Sequence, residues 1–218
     1  MLDHQRVLLF DFETTGLYAD REQIIEIGAI LLQKNLLGEY EAIDELSTLV
    51  IPDKQLPAKI IEITHITDEM LLRSGISQEE AFHRFLTMYS EDTLLIAYNI
   101  QFDLSFLIQF FKKYWNSTFQ IKNDILDVMA IYKDRHRYPH RLDNAVEKYQ
   151  VAINNTHRAL DDIKATFEAM KKMNAELSNL KKYVNVVGYN ANYGVNGVKL
   201  PHVKYIAQKG GYREIEKS

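Results

Sequence analysis

Asp11 and Glu13 stand one residue apart in an otherwise apolar stretch. The two-residue period of a strand places both carboxylates on one face and Phe10 and Phe12 on the other. Burying two acids is costly unless hydrogen bonds or cations compensate. Alone, the pair fits a metal site or a strand end where both acids reach solvent. Asp103 opens a helix after Tyr98-Asn99-Ile100-Gln101-Phe102, where a lone Asp would serve as a capping or dipole device. Asp161 and Asp162 open a longer helix, and His157 precedes it in a loop with Asn154, Asn155 and Thr156. Taken together, Asp11, Glu13, Asp103 and Asp162 lie at a strand end and at helix starts that abut one sheet edge. That is an oxygen-rich set suited to Mg²⁺ or Mn²⁺ and unsuited to zinc, and hard divalent ions there imply phosphate chemistry.

The elements that must position these residues follow from periodicity. Arg6 to Phe12 is apolar and β-branched and ends at Thr14-Thr15-Gly16, which predicts a buried strand followed by a turn. Ile24 to Leu32 and Ala42 to Ile51 predict two further strands in a meander with the first. Beyond Pro52 and Pro57 the pattern predicts short helices, one with Ser77 as N-cap and Glu80 completing a capping box. Thr93 to Tyr98 predicts a fourth strand. Phe106, Leu107, Phe110 and Phe111 recur at helical spacing, predicting a helix from Asp103. Asp124 to Val128 predicts a short fifth strand, and helices are expected over Leu142 to Tyr149 and from Arg158 to about Leu180. Strands first, then helices alternating with strands, indicate an α/β chain with a mixed sheet flanked by helices.

Composition narrows the function classes. The 218 residues are 46% hydrophobic and 26% charged, with nine Gly and four Pro, so collagen, coiled coil and bulk disorder are excluded. The absence of Cys removes disulfide scaffolds, thiolate catalysis and Cys-ligated metal sites. Apolar runs such as Val7 to Phe10 are far shorter than the roughly 20 residues that span a bilayer, so a soluble, cytoplasmic protein with no membrane partner is expected. The net charge of −4 divides unevenly. Residues 184–218 carry five Lys and Arg against two acids, or +3, leaving −7 for residues 1–183. Five of the nine glycines and four of the 13 tyrosines fall in that tail. The expected organisation is therefore a domain over 1–183 and a Gly- and Tyr-rich basic extension over 184–218, irregular or hairpin-like and packed on the domain.

Three phrases carry a family resemblance: Phe10-Asp-Phe-Glu-Thr-Thr-Gly-Leu17, Asn99-Ile-Gln-Phe-Asp103 and His157-Arg-Ala-Leu-Asp-Asp162. They are similar to the three motifs of the DEDD exonucleases, in the histidine branch that includes proofreading subunits and domains of bacterial replicative polymerases. Ile24-Ile-Glu-Ile-Gly28 and Ile63-Thr-His-Ile-Thr-Asp-Glu-Met70 extend the likeness, which covers about Val7 to Leu177 in the family's order. The sister branch places Tyr four residues before the last Asp, where this chain has Arg158. Tyr98 stands where the family often has His, outside the ligand set.

The resemblance implies a ribonuclease-H-like fold with a central five-stranded sheet. It implies a site in which Asp11, Glu13, Asp103 and Asp162 hold two divalent ions, Mg²⁺ or Mn²⁺, with Glu13 and His157 as the catalytic pair. His157, with an ordinary pKa near 6.5, would be neutral and take the proton from the attacking water. The implied activity is 3′-to-5′ hydrolysis of single-stranded or frayed DNA or RNA, DNA favoured, giving 5′ mononucleotides, by a protein that works either alone or with a DNA polymerase as a partner. Substrate contacts are implied at Thr14, Thr15, Gly16, Leu17, Ile66, Asn99 and Phe102. A haloacid-dehalogenase-like phosphatase also begins with a strand and an acid pair, but its second acid is Asp and it gives Asn99 to Asp103 and His157 no role. An inactive exonuclease fold used for binding or polymerase tethering is a second alternative, against which all five site residues are present. Lys133, Arg135, Arg137 and Arg141 form a basic stretch that could track phosphates but reads first as a solvated loop. The tail's Tyr189, Tyr193, Tyr205 and Tyr212, interleaved with Lys and Arg, could stack on a single strand or pack on the domain.

Overall fold

Alternate residues of the first strand feed two different cores. The computed structural model describes residues 2–153 and 158–218. In it β1 (Arg6–Thr14) sends Leu8, Phe10 and Phe12 into one apolar cluster and Val7 and Leu9 into another, so Asp11 and Glu13 continue the Val7 and Leu9 side. β2 (Ile24–Lys34) and β3 (Tyr40–Leu49) follow as an antiparallel meander. β4 (Leu94–Ala97) and β5 (Ile125–Asp127) add in parallel on the other side of β1, giving the order β3-β2-β1-β4-β5. β3 is a mostly exposed edge, and Glu41, Asp44 and Glu45 on it oppose edge-to-edge association.

Seven α-helices among the described residues complete the two layers. The short α1 (Ala58–Thr64) and α2 (Asp68–Ser74) enclose a small cluster with Ile25 and Ile66. α3 (Gln78–Leu86) and α4 (Ile100–Tyr114) cover the Phe10 face through Phe82, Phe85, Leu107 and Phe111. α5 (Val128–Arg135), α6 (Leu142–Lys148) and α7 (Ala159–Glu176) cover the Val7 face through Ile131, Ala145, Ile163 and Met173. No helix among the described residues is long and apolar enough to cross a membrane.

The structure differs from the sequence reading in several places. β1 continues through Thr14, with a register shift between Glu13 and Thr14, because β2 keeps pairing with it as far as Ile24. α4 begins at Ile100, so Asp103 lies within its first turn. Ser77 caps α3 by accepting from the Glu80 N–H, but the Glu80 carboxylate pairs with Arg84 at 2.5 Å. The basic stretch is not a loop throughout: Lys133 and Arg135 belong to α5, which hides most of its faces and so carries no amphipathic signal. The tail is not a hairpin. After a 3₁₀ turn at Leu180–Tyr183, β6 (Val186–Tyr189) and β7 (Lys204–Ala207) pair in parallel.

Two sets of hydrogen bonds are among those that fasten the tail. Asn185 exchanges hydrogen bonds with Ile125, its N–H donating at 2.8 Å and its Oδ1 accepting at 3.0 Å, and so closes the free edge of β5. Asp134, fully buried on α5, accepts from the Tyr183 hydroxyl, Gln208 Nε2 and the N–H groups of Ile215 and Glu216 at 2.9–3.1 Å.

Candidate metal centre

The pairing of β1 with β4 ends at Leu9 and Ile96, so farther along β1 no strand occupies that side. α4 starts there instead, and Asp103 Oδ1 accepts the Phe12 N–H at 3.1 Å. One carboxylate is thus led past the sheet edge from the α4 layer. Asp103 is almost wholly buried, which with the nearby Asp11 charge holds its carboxyl well above the usual range, although the Phe12 hydrogen bond opposes this.

On the opposite layer α7 delivers Asp162. β2 makes its approach possible: Gly28 is in register with Asp11 and Glu26 with Glu13. A Cβ on Gly28 would lie 2.6 Å from the Ala159 carbonyl carbon, so only glycine admits the start of α7 this close. Glu26, 2% exposed, then clamps that helix start. Its Oε1 accepts from Arg158 Nε and Nη2 at 2.9 and 2.7 Å, and its Oε2 accepts from the Ala159 N–H at 3.1 Å. A carboxylate at a helix N-terminus satisfies a free N–H and opposes the helix dipole.

The result is convergence: one carboxylate oxygen from each of Asp11, Glu13 and Asp162 lies within 4.8 Å of the others. Burial raises Glu13 to about 9, helped by the charges of Asp11, Asp162 and Glu26, and burial with Asp162 and Glu26 likewise raises Asp11. Acids forced together in this way are stabilised by a cation, and an all-oxygen donor set fits a hard divalent ion. His157 lies outside the described residues, as do Asn154, Asn155 and Thr156.

The residues expected to meet substrate divide into two groups. Leu17 and Asn99 are exposed and Phe102 half-buried, and all three line one groove of about 520 Å³. Asn99 adopts a left-handed conformation (φ 68°) between β4 and α4, held by its N–H donating to Asp127 Oδ1 at 3.2 Å. Asp127 also caps α5 by accepting from the Met129 N–H, and burial raises its carboxyl to about 6. Thr14, Thr15 and Ile66 are instead enclosed. The Thr14 hydroxyl donates to the Gly16 carbonyl, and Thr15 Oγ1 donates to Glu22 and accepts from the Gln23 N–H. Gly16 sits under the Glu22 side chain in the same turn, so a Cβ there, 2.9 Å from the Glu22 carboxyl carbon, would push that side chain aside. Ile66 is fully buried with Ile25 and Leu71, so its side chain offers no surface to a ligand. Sequence reasoning did not single out Glu26, Gly28 or Arg158 as site-building residues. The only signal was the phrase Ile24 to Gly28, in which an acid and a glycine interrupt an apolar strand.

A mixed five-stranded sheet flanked by helices, with carboxylates gathered at the end of its first strand, gives the molecule a ribonuclease-H-like fold. Residues 8–170 match the family model described as exonuclease of the RNase T type. The chain belongs to that family, within the DEDD exonuclease superfamily. It is 32% identical over 181 residues to the DNA polymerase III subunit epsilon of Treponema pallidum, covering 78% of this chain and 77% of that one. It is 35% identical over 193 residues to the PolC-type DNA polymerase III of Thermotoga maritima, covering 84% of this chain but only 14% of that polymerase. Among solved structures, E. coli exonuclease I in complex with a dT13 oligonucleotide superposes with a TM-score of 0.65 at 21% identity, over 78% of this chain and 41% of that one. A zinc-bound form of that enzyme with single-stranded DNA gives a TM-score of 0.68 over 83% and 43%.

Proposed function

We propose that this nuclease is a 3′-to-5′ exonuclease of the histidine branch, acting on single-stranded or frayed DNA and releasing 5′ mononucleotides. The observation that supports it most is the meeting of Asp11, Glu13 and Asp162 within 4.8 Å, with Asp103 led onto the Phe12 N–H beside them. Mg²⁺ or Mn²⁺ held by these four acids would polarise the scissile phosphate and stabilise charge on the departing 3′ oxygen. The chain's own residues supply the rest. β1, α4 and α7 fix the acids so that little reorganisation accompanies the reaction. His157 accepts the proton of the attacking water, with Glu13 oriented to the same water. Leu17 and Phe102 form an apolar surface against which the terminal base is held apart from its neighbour, and Asn99 offers a polar edge beside it. The name of the Treponema pallidum relative supports a DNA polymerase as partner.

The test is digestion of end-labelled oligonucleotides, with DNA and RNA compared. Blocking the 3′ end should abolish metal-dependent release of mononucleotides, whereas blocking the 5′ end should not. Cleavage of circular single strands at internal sites would contradict the assignment, and folded protein inert with both Mg²⁺ and Mn²⁺ would favour a binding module.

A further inference from the structure

The groove holding Leu17 and Phe102 is not built by the exonuclease core alone. Its other wall is Asn196 to Val198 of the tail, beyond the residues that match the family model. Gln101 Nε2 on α4 donates to the Val198 carbonyl at 2.6 Å. Gly197 (φ +82°) lies so close to α4 that a Cβ would stand 2.5 Å from Ser105 Oγ. The tail is thus seated on the helix that carries Asp103.

Two further cavities continue from this groove. One of about 230 Å³ is lined by Asn99, Lys133, Tyr189 and Tyr193, and another of about 560 Å³ by Asn99, Lys133, Tyr138, Arg141 and Lys209. Asn99 borders all three, and Lys133 borders both of the latter. Lys133 is 8% exposed, yet no carboxylate among the described residues forms an ion pair with its ammonium. Burial pulls its ammonium down from the ordinary lysine range, while Asp127 and Glu214 at longer distance oppose this. A largely desolvated cation with no carboxylate within ion-pair distance, facing a cavity, gains from an arriving anion. Tyr193 and Tyr138 are 78% and 84% exposed at the rims, an arrangement of aromatic platforms around a cationic floor that suits a nucleic acid strand.

We propose that the C-terminal segment and Lys133 form a second strand-binding site, which receives the nucleotides 5′ of the scissile bond as the substrate leaves the metal centre past Asn99. Lys133 and Lys209 contact phosphates, and Tyr138 and Tyr193 stack on bases. This rests on the 3′-to-5′ exonuclease reading and explains why the tail is basic in an acidic chain: occupancy lengthens the strand held and therefore favours longer substrates.

The test is fluorescence anisotropy of 5′-labelled thymidylate, dinucleotide against dodecanucleotide, with Ca²⁺ replacing the catalytic ion and salt varied. The full chain should bind the dodecanucleotide more tightly. Replacing Lys133→Met and Lys209→Ser together should remove most of that advantage and flatten the log–log salt slope by roughly 1.4, about 0.7 for each single-strand phosphate that is no longer neutralised. Tyr193→Ser should weaken dodecanucleotide binding about fivefold or more. If Lys133→Met does not fold, Lys209→Ser and Tyr193→Ser, both at exposed positions, decide the matter. Folded variants with an unchanged length advantage and salt slope overturn the proposal, including the case in which Lys133→Met only lowers the melting temperature. Digestion of the same dodecanucleotide by the wild-type protein with Mn²⁺ is recorded in parallel. Its absence would count against the exonuclease reading, whereas the binding data alone judge the tail.

Discussion

Asp103, which we propose as a metal ligand, also has a structural bond, since its Oδ1 accepts the Phe12 N–H that no strand pairs. Asparagine keeps an oxygen for that N–H but removes the charge. Asp103→Asn should therefore fold, lose activity by at least about 10²-fold in single-turnover hydrolysis, and melt at a higher temperature than wild type when metal-free. Glu13 sets the pH behaviour. Its folded pKa of about 9 lies above its ordinary 4.5, so between those values the folded chain binds more protons than the unfolded one. Stability of the metal-free protein should fall as pH rises through that window, with Asp11 acting in the same sense. Melting curves in EDTA test this, and saturating Mn²⁺ should reverse or flatten the slope. His157 should fail differently from a ligand: His157→Ala should retain metal and strand binding while turnover falls about 10² to 10⁴-fold. The wild-type rate should decline below the His157 pKa at saturating Mn²⁺, and an acidic limb unchanged in the variant would show that His157 is not the base.

Among the elements, α7 depends most on contacts distant in sequence. Glu26 and Arg158 are 132 residues apart, yet their pairing sets where α7 begins and hence where Asp162 arrives. Glu26→Gln keeps the shape but not the charge. Because Arg158 is partly exposed and screened by solvent, the expected loss is about 1–2 kcal/mol of stability, with a larger proportional fall in activity as Asp162 is misplaced. Gly28→Ala should cost a further 1–3 kcal/mol or so, since the helix backbone must move aside. Chemical denaturation with activity measured on the same samples checks both. The acids themselves were legible because a strand's alternation puts Asp11 beside Glu13, and helix starts mark Asp103 and Asp162. Their clamp was not legible, because one acid in β2 carries no sign of its distant partner. α5 escaped for another reason: a helix buried on most faces has no apolar stripe. The tail's glycines suggested turns, while its parallel pairing is set by Asn185 and Asp134 contacts that no local pattern announces.

For the molecule as a whole, the sheet order β3-β2-β1-β4-β5 places β1 at the centre, with helices on both faces and acids emerging where β4 gives way to α4. One acid comes from the α4 layer, one from the α7 layer and two from the sheet between them. The chain spans only 14% of the PolC-type relative from Thermotoga maritima but 77% of the epsilon subunit of Treponema pallidum. The central claim is that these separate layers assemble one divalent-metal centre for phosphodiester hydrolysis. Its most direct test is an anomalous difference map from crystals soaked in Mn²⁺ at a concentration that supports hydrolysis in solution. Two peaks are expected, both within coordination distance of carboxylates from Asp11, Glu13, Asp103 and Asp162. A fully occupied Mn²⁺ site elsewhere, with no density among these four acids, would contradict the account.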